Sequence, residues 1–319
     1  MIPAAVLRVC GRPPALEKRP APVPGVGEVP IQVAAAPITP LDLLCATGTS
    51  YFGLPATPYV PGVQGVGYRD DGTPVWFATS AGMRPGDGSM TAAVSVPYVD
   101  VVPLPPGAPL PLIGALGLSA VAAHSALTRT GGLTPGETVV VLGAGGVVGQ
   151  AAIQLALLSG AARVIAVSRS PDGLERALRL GAEEAVPLLP DDDPVSLGDR
   201  LRDACRAADL VLDPVFGVPA AAALRVLRPG GRLVNLGGSA SPTAPIDSAT
   251  LRSGSLRVLG YTNNALSVAQ RAESLGEVAE HAAAGRLTVA HEVVPFADVA
   301  EAWTRQAAGD TDGRIVLVL

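Results

Sequence analysis

The strongest constraint on the fold is a regular alternation, from Thr138 onward, between short apolar runs and longer segments with helical periodicity. Apolar runs of this kind are typical of parallel strands buried on both faces of a sheet, with helices as the crossover connections. The alternation therefore predicts an α/β fold with a doubly wound parallel sheet. The predicted strands are Val139–Leu142, Val164–Val167, Ala185–Leu188, Asp209–Asp213, Arg232–Leu236 and Leu256–Tyr261, and the predicted helices are Val148–Leu158 and Leu174–Leu180.

The chain before Ala115 has a different pattern, in which short β-like runs are separated by proline and glycine. Such punctuation predicts a β-rich domain with many turns. The runs are Pro30–Ala34, Thr73–Ala78 and Met90–Val96.

The domain boundaries follow from where the two patterns meet. The C-terminal run Arg314–Leu319 is apolar, and we expect this strand to rejoin the β-rich domain. We therefore predict one domain from residues 1–114 and 285–319 and a second domain from residues 115–284.

Composition argues against several classes of function. The net charge of −5 comes from acidic and basic residues spread along the chain, without the basic stripe that a nucleic-acid-binding protein needs. Lys18 is the only lysine, which removes a GxxxxGK phosphate loop and leaves little scope for a Schiff base. The three cysteines and three histidines are far apart in sequence, so no disulfide framework or metal-binding motif is predicted.

No membrane-spanning segment is predicted. A long uncharged stretch, Val101–Ala123, has five prolines in its first half, which would break a spanning helix. The first residues carry Arg8 and Arg12 inside their apolar part and lack a small-residue cleavage site. We expect a cytoplasmic protein.

Glycines lie between the strand that ends at Leu142 and the apolar helix that follows it. Glycine at such a junction lets backbone N–H groups approach a pyrophosphate, and the helix dipole favours the negative charge. The spacing is GxxGxxG rather than GxGxxG, and the alternative is a glycine-rich turn that serves only close packing. The predicted cofactor-binding residues of this loop are Gly143, Ala144, Gly145, Gly146, Val147, Val148 and Gly149.

The next strand ends in Ser168, Arg169 and Ser170, where an NAD-binding fold places an acidic residue for the ribose 2′-hydroxyl. A guanidinium between two hydroxyls is instead suited to a 2′-phosphate. This tip predicts NADPH as the cofactor. The alternatives are that Arg169 is a solvated loop residue and that Asp172 partly replaces the missing acid.

Further cofactor-binding residues are predicted at the carboxyl ends of later strands, because ligands of open α/β sheets bind there. They are Pro214, Val215, Gly237, Gly238, Ser239 and Tyr261. The loop after Tyr261 is expected to line the nicotinamide side or to close over substrate.

Several motifs in order resemble those of the medium-chain dehydrogenase/reductase superfamily, in particular its zinc-independent quinone oxidoreductase and enoyl reductase branch. The resemblance covers nearly the whole chain. Its motifs are Ala34–Asp42 (AAAPITPLD), Val60–Gly67 (VPGVQGVG), Leu133–Thr138 (LTPGET) before the glycine loop, Leu227–Val234 (LRPGGRLV) and Gly313–Leu317 (GRIVL).

The resemblance implies a GroES-like catalytic domain at the N-terminus, a Rossmann domain, and a nicotinamide cofactor in the cleft between them. It also adds Arg314, in the last motif, to the predicted cofactor-binding residues. The chain departs from zinc-dependent relatives at Thr39 and Val63, where those enzymes carry zinc ligands, so no metal is predicted. Gly173 stands where quinone reductases often have a lysine.

Without a Lewis acid, hydride addition to a quinone or an enone is favoured over reduction of an aldehyde, because the charge delocalises into a phenolate or enolate. The candidate catalytic residues are Tyr51 as a hydrogen-bond donor, Thr39 as a group that orients the carbonyl, and Asp42. Their alternative roles are packing in a loop for Tyr51, a turn cap for Thr39 and organisation of the local backbone for Asp42.

The sequence thus predicts an NADPH-dependent reductase of a small electrophile, a quinone or an α,β-unsaturated carbonyl. The alternatives are an enoyl-thioester reductase, with a CoA or carrier-bound substrate, and a dinucleotide-binding sensor or structural protein without chemistry. The segment Ser255–Tyr261 reads as the last strand of the Rossmann sheet. Because relatives commonly pair this edge across a twofold axis, we expect a homodimer.

Overall fold

The computed structural model describes residues 1–319, which form fifteen β-strands and nine α-helices. The strands are β1 (Ile2–Val6), β2 (Ala15–Arg19), β3 (Glu28–Pro37), β4 (Gln64–Arg69), β5 (Pro74–Ala78), β6 (Ala93–Pro97), β7 (Val101–Pro103), β8 (Thr138–Val141), β9 (Arg163–Ser168), β10 (Glu184–Pro187), β11 (Ala208–Asp213), β12 (Leu227–Asn235), β13 (Arg257–Gly260), β14 (His291–Pro295) and β15 (Arg314–Val318). The helices are α1 (Pro40–Thr47), α2 (Leu110–Ser125), α3 (Val147–Leu158), α4 (Pro171–Arg179), α5 (Pro194–Cys205), α6 (Gly217–Leu224), α7 (Ser248–Ser253), α8 (Val268–Ala283) and α9 (Val299–Ala308).

The chain forms two compact units, a terminal unit of Met1–Gly117 with Val268–Leu319 and a central unit of Leu118–Ser267. The second boundary lies well before the predicted residue 284, because α8 belongs to the terminal unit. That helix buries Leu275 and Val278, and its Arg271 forms an ion pair with Asp100. Apolar periodicity predicts a helix but does not specify the sheet on which the helix packs, so the predicted boundary needed this correction.

The central unit is the predicted doubly wound sheet, with six parallel strands in the order β10-β9-β8-β11-β12-β13. Strands β8 and β11 are buried along their whole length, as expected for apolar runs covered on both faces. The crossover helices supply the rest of the core, including Leu197 and Leu201 from α5. The carboxyl ends of all six strands consequently lie along one edge of the sheet.

The terminal unit is β-rich, with strands in the order β14-β15-β3-β4-β5-β7, a further strand β6 on β3, and a β1–β2 hairpin. Strand β15 pairs antiparallel with β3 and parallel with β14. The C-terminal strand therefore rejoins the N-terminal sheet, as the sequence predicts.

Helix α2 and the π-helical turn that follows it, Leu110–Thr130, form the one segment long and apolar enough to cross a membrane, and 78% of its most apolar window is buried inside the protein. The prolines expected to break this segment lie before the helix or in its first turn, where proline is tolerated. The break lies instead at Gly117 (φ 29°, ψ −130°). A Cβ there would be 2.1 Å from Gln64 Oε1, an oxygen that accepts a hydrogen bond from Trp76.

Arg232, at the centre of β12, has only 5% of its surface exposed and organises the amino edge of the central sheet. Its guanidinium donates two 2.7 Å hydrogen bonds to the Glu137 carboxylate. It also donates to the carbonyl oxygens of Gly131 (2.5 Å), Gly132 (3.0 Å) and Asp209 (3.2 Å). Burial alone would raise the pKa of Glu137, but the hydrogen bonds and charge of Arg232 lower it overall.

We predict that Arg232→Met lowers the free energy of unfolding by about 3–5 kcal/mol, because it leaves a partly buried carboxylate and several carbonyl oxygens without a donor. The exposed pair Arg202–Asp199 on α5 supplies a control, for which Arg202→Met should cost less than about 1 kcal/mol. Urea unfolding followed by circular dichroism measures both. The stability that ionised Glu137 contributes is fully present above the pKa of glutamate in the unfolded chain, and it is lost as the pH falls through the lower pKa of the folded state. The difference in free energy of unfolding between wild type and Arg232→Met should therefore shrink in acid. Equal unfolding midpoints at neutral pH would contradict this role.

Candidate functional site

The loop between β8 and α3 has the geometry of an anion-binding turn. Gly143 adopts a left-handed conformation (φ 63°), and the N-cap Gly146 offers no side-chain hydrogen bond to the helix. The first N–H groups of a helix have no intrahelical partner, so those at the start of α3 are open to a ligand. A Cβ on Gly149 would lie 2.4 Å from the Gly143 oxygen. Only glycine therefore lets the helix begin directly behind the loop.

Gln150, which sequence reasoning missed, fixes this loop from within the helix. Its side chain is fully buried and its Nε2 donates a 2.8 Å hydrogen bond to the carbonyl oxygen of Gly145. The available signal was a polar residue in an otherwise apolar helical segment. The bond holds the loop carbonyl towards the helix.

The tip of β9 packs directly against the glycine loop. Ser168 is buried, and its Oγ lies 3.0 Å from the position that a Cβ on Gly145 would take and 2.5 Å from that of a Cβ on Gly173. Ser170 caps α4 by accepting a 3.1 Å hydrogen bond from the Gly173 N–H, which leaves its own proton to donate. Arg169 between them is exposed and makes no hydrogen bond or ion pair. Arg169 is thus a positive charge without a partner at the tip of β9.

The ends of β11 and β12 are joined through a buried carboxylate that the sequence analysis did not select. Asp213 accepts hydrogen bonds from the backbone of Val215 (3.0 Å) and Phe216 (2.7 Å) and from Asn235 Nδ2 (2.9 Å). Burial raises the pKa of Asp213, and these hydrogen bonds oppose the rise. The carboxylate holds the predicted residues Pro214 and Val215 in place.

The predicted Gly237, Gly238 and Ser239 follow β12 at the same edge, and a Cβ on Gly237 would lie 2.6 Å from the Pro214 oxygen. Tyr261 continues β13, and its N–H donates a 2.8 Å hydrogen bond to the Asn235 oxygen. The structure therefore brings the central-unit candidates, from the ends of β8, β9, β11, β12 and β13, to one sheet edge.

The predicted catalytic pair Thr39 and Asp42 forms a helix cap. Thr39 is the N-cap of α1, and its Oγ1 donates a 2.6 Å hydrogen bond to Asp42 Oδ2 while accepting one from the Asp42 N–H (3.2 Å). The carboxylate also accepts the N–H groups of Thr39, Gly62 and Val63. The structure therefore shows the capping role that was the alternative for Thr39, and a role of its hydroxyl in orienting a carbonyl substrate stays a prediction.

Asp42 and Arg314 are charged groups in the interior of the terminal unit, with 2% and 5% of their surface exposed. Burial raises the pKa of Asp42, against the effect of its hydrogen bonds and of Arg314. Burial lowers the pKa of Arg314 to about 10, while the charge of Asp42 opposes that change. Arg314 donates to the Ala115 oxygen at 3.4 Å. Its charge lies near that of Asp42 in this interior, and its predicted role in cofactor binding stays a prediction.

Tyr51, the third predicted catalytic residue, lies in the loop after α1 and is 78% exposed. Its ring packs against Phe52 with the centroids 4.2 Å apart, and its hydroxyl has no hydrogen-bond partner. The phenol is free to donate a hydrogen bond to a substrate oxygen, but at this exposure water could donate to the same oxygen.

Comparisons with known proteins agree with this architecture. A family model described as "Zinc-binding dehydrogenase" matches residues 147–280. The quinone oxidoreductase of Thermus thermophilus, solved also in complex with NADPH, is 30% identical, with a TM-score of 0.83 over 99% of this chain and 100% of that one.

Two relatives are longer than this chain. A phenolphthiocerol/phthiocerol polyketide synthase of Mycobacterium tuberculosis is 30% identical over 303 residues, which is 91% of this chain but only 13% of the synthase polypeptide. The mitochondrial enoyl-[acyl-carrier-protein] reductase of Xenopus tropicalis is 27% identical over 251 residues, or 75% of this chain and 69% of the reductase.

The zinc ion in the family description does not fit the residues present. No three histidine, cysteine, aspartate or glutamate side chains converge anywhere in the chain. Thr39 and Val63, at the positions of zinc ligands in zinc-dependent enzymes, are a helix cap and an apolar residue with 1% of its surface exposed. The start of α3, in contrast, fits a dinucleotide pyrophosphate, because its N-cap Gly146 has no side chain and its first N–H groups are open to an anion.

We predict that Thr39→Val lowers the free energy of unfolding by about 1–3 kcal/mol, because it removes the cap of α1 and one donor to buried Asp42. Thr39→Ser is the matched control and should stay within about 0.5 kcal/mol of wild type, since it keeps the hydroxyl. Urea unfolding of the three proteins measures the difference. If Thr39→Val were as stable as wild type, the capping role would be refuted.

Proposed function

Because the chain belongs to the medium-chain dehydrogenase/reductase superfamily of oxidoreductases, we propose that it is an NADPH-dependent reductase of quinones or α,β-unsaturated carbonyls that needs no metal ion. The observation that carries the proposal is the carboxyl edge of the central sheet, where the uncapped start of α3 lies beside the tip with unpaired Arg169. A bound nicotinamide cofactor would supply the hydride, and the chain's own groups at this edge would hold that cofactor.

The positive charge at the tip of β9 supports NADPH rather than NADH as the cofactor. The N–H groups of Val147 and Val148 would bind the pyrophosphate, and Arg169 would pair with the 2′-phosphate that distinguishes NADPH from NADH. No carboxylate lies at the end of β9 itself, and Asp172 in the first turn of α4 is the nearest acid in sequence. The NADPH complex of the Thermus thermophilus relative supports the same choice.

The proposed class of acceptor depends on how this chain can stabilise the negative charge that develops when a hydride is added. In the absence of zinc ligands, an alkoxide would have no Lewis acid to stabilise it. A quinone or enone spreads the charge of the added hydride over a conjugated system, so hydrogen bonds suffice. Tyr51 remains a candidate donor, although its 78% exposure leads us to expect no more than about a tenfold loss of kcat in Tyr51→Phe.

An enoyl thioester is the second candidate substrate, and it is favoured by the similarity to an enoyl-[acyl-carrier-protein] reductase and to a segment of a polyketide synthase. Both relatives extend beyond this chain, so their substrates enter here only as a proposal. The three cysteines are free thiols, which suits the reducing cytoplasm that we propose as the location.

We predict that the protein oxidises NADPH with 1,4-benzoquinone or 2-cyclohexenone, that EDTA leaves the rate unchanged, and that NADH binds more weakly. Arg169→Ala should remove most of that preference, because a charge-assisted phosphate contact contributes about 1.5–3 kcal/mol. Absorbance at the NADPH band gives the rates, and fluorescence titration gives the two affinities.

Arg202→Ala is the matched control, since Arg202 lies in the last turn of α5, which leads to the amino edge of the same sheet. Equal affinity of wild type for NADPH and NADH would contradict the assignment of Arg169. Faster turnover with crotonyl-CoA than with the quinone or enone would select the thioester, and binding without any turnover would select a dinucleotide sensor.

We also propose that two copies pair through β13. This strand is the outer edge of the central sheet, and Val258 on it is 42% exposed. The Tyr261 N–H points to β12, where it meets the Asn235 oxygen, so by the alternation of a strand the Val258 N–H points away from β12. An unpaired apolar edge of this kind invites strand pairing with a second copy.

We predict a mass twice the 32.0 kDa of one chain by light scattering at micromolar concentration. Val258→Pro should give the monomer, since it removes an outward N–H without breaking the β12 ladder. Val258→Thr keeps that N–H and should stay dimeric. A wild-type monomer would refute the pairing.

A further inference from the structure

The phenol of Tyr261 stands at the carboxyl edge of the central sheet in an arrangement that cofactor binding does not explain. Backbone hydrogen bonding carries it directly beside β12, because its N–H donates to the Asn235 oxygen. Asn235 in turn donates to the Asp213 carboxylate at the end of β11. The ends of three neighbouring strands therefore form one hydrogen-bonded row, and Tyr261 is its outermost member.

A side-chain amide fixes where the Tyr261 proton points. The Tyr261 Oη lies 2.7 Å from Asn263 Oδ1, and Asn263 Nδ2 donates a 3.1 Å hydrogen bond to the Leu118 carbonyl oxygen. That second bond settles the orientation of the amide, since only its nitrogen can donate to a carbonyl. Oδ1 is an acceptor, so the phenol must be the donor and must carry its proton.

Two further groups would stabilise the phenolate that remains when Tyr261 gives up this proton. Ser125, fully buried at the end of α2, and the charge of Arg129 in the following π-helical turn both act to lower the pKa of Tyr261 and so favour the ionised form. Burial is the larger effect and raises the pKa of Tyr261. The group is therefore a protonated phenol at neutral pH whose conjugate base already has a hydroxyl and a cation beside it, which is what a general acid requires.

We propose that Tyr261 donates the proton to the oxygen of the reduced acceptor, with Asn263 as the residue that positions it. The inference rests on the reductase function proposed above. When a hydride adds to an enone or quinone, its electron pair is delocalised onto the carbonyl oxygen. The Tyr261 hydroxyl then turns from Asn263 Oδ1 to that oxygen, its O–H bond breaks as an O–H bond forms on the product, and the phenolate recovers a proton from water.

Other hydroxyl groups are less suited to this step. The Thr39 hydroxyl donates to the buried Asp42 carboxylate and is a much weaker acid than a phenol, whereas the acceptor of the Tyr261 proton is a neutral amide. The Tyr51 phenol is 78% exposed, so water competes with it. Tyr261 is half-buried and comes from the same sheet edge as the glycine loop. Its backbone N–H is held by the Asn235 oxygen, and its hydroxyl is held by the Asn263 side chain.

The test uses the full chain with two readouts. The first is steady-state reduction of 2-cyclohexenone by NADPH. The second needs no turnover and is the binding of 4-nitrophenolate, a mimic of the product oxyanion, to the complex with NADP⁺, followed by the visible absorption of the phenolate. Tyr261→Phe removes the proton and keeps the ring, and Asn263→Ala removes the positioning amide. Tyr98→Phe, at an exposed tyrosine of the terminal unit, is the control.

We expect Tyr261→Phe to lower kcat by about 10²-fold with little change in KM or in NADPH affinity, and to weaken 4-nitrophenolate binding by about tenfold. Asn263→Ala should lower kcat by a smaller factor, again without a change in NADPH affinity, whereas loss of a merely structural residue would change both. Tyr98→Phe should match wild type in both readouts.

Wild-type kcat and probe binding in Tyr261→Phe would overturn the inference. So would loss of NADPH affinity in that variant, which would assign Tyr261 to cofactor binding, or a wild-type protein that does not bind the probe. If the probe binds through Tyr261 but no acceptor is reduced, the oxyanion-donor site stands and the reductase function fails.

Discussion

The close contact between α3 and the loop before it is the constraint on which the central unit depends. Gly149 sits against the Gly143 carbonyl oxygen, and a Cβ at that position would be 2.4 Å from it. This approach brings the open N–H groups of α3 to the end of β8, and the Gln150 side chain secures the loop from behind. Because Ser168 fills the space beside Gly145, the tip of β9 is placed at the same point. A single glycine-dependent contact thus brings together a helix dipole, a serine-rich tip and Arg169.

Buried polar groups in the terminal unit stabilise its fold. Asp42 accepts hydrogen bonds from Thr39, Gly62 and Val63, and so joins the start of α1 to the segment before β4. A buried carboxylate without these donors would be costly, which explains why its lone pairs are satisfied. Arg314 balances its charge nearby. Residues that match a family signature therefore hold the scaffold of this unit.

The proposed chemistry uses the edge of the central sheet, where polar groups from separate strands meet. Asp213, Asn235 and Tyr261 belong to three consecutive strands in the sheet and are joined by hydrogen bonds. The same scaffold occurs in a quinone oxidoreductase, and a segment of a polyketide synthase is similar to this chain in sequence. Since one fold supports many activities, we propose that the groups at this edge, and not the fold, determine which acceptor the chain would reduce.

The sequence by itself determined the central unit and its glycine loop, because both arise from local physics. Apolar runs predict buried strands, helical periodicity predicts the crossovers, and glycine at a strand-to-helix junction predicts close approach. Sequence also indicated that β15 is a strand, but only pairing showed its neighbours to be β3 and β14. Tertiary structure assigned α8 to the terminal unit, since an amphipathic helix does not specify its partner sheet.

The roles of polar residues were decided by tertiary structure alone. Thr39 has the same hydroxyl whether it caps a helix or faces a substrate, and only the position of Asp42 selects between them. The Tyr261 site depends on an amide at Asn263 that reaches a carbonyl 145 residues earlier in the chain, at Leu118. No spacing rule relates residues that far apart. Their meeting follows from the packing of α2 and the end of β13 within one unit, and that packing is a property of the folded chain.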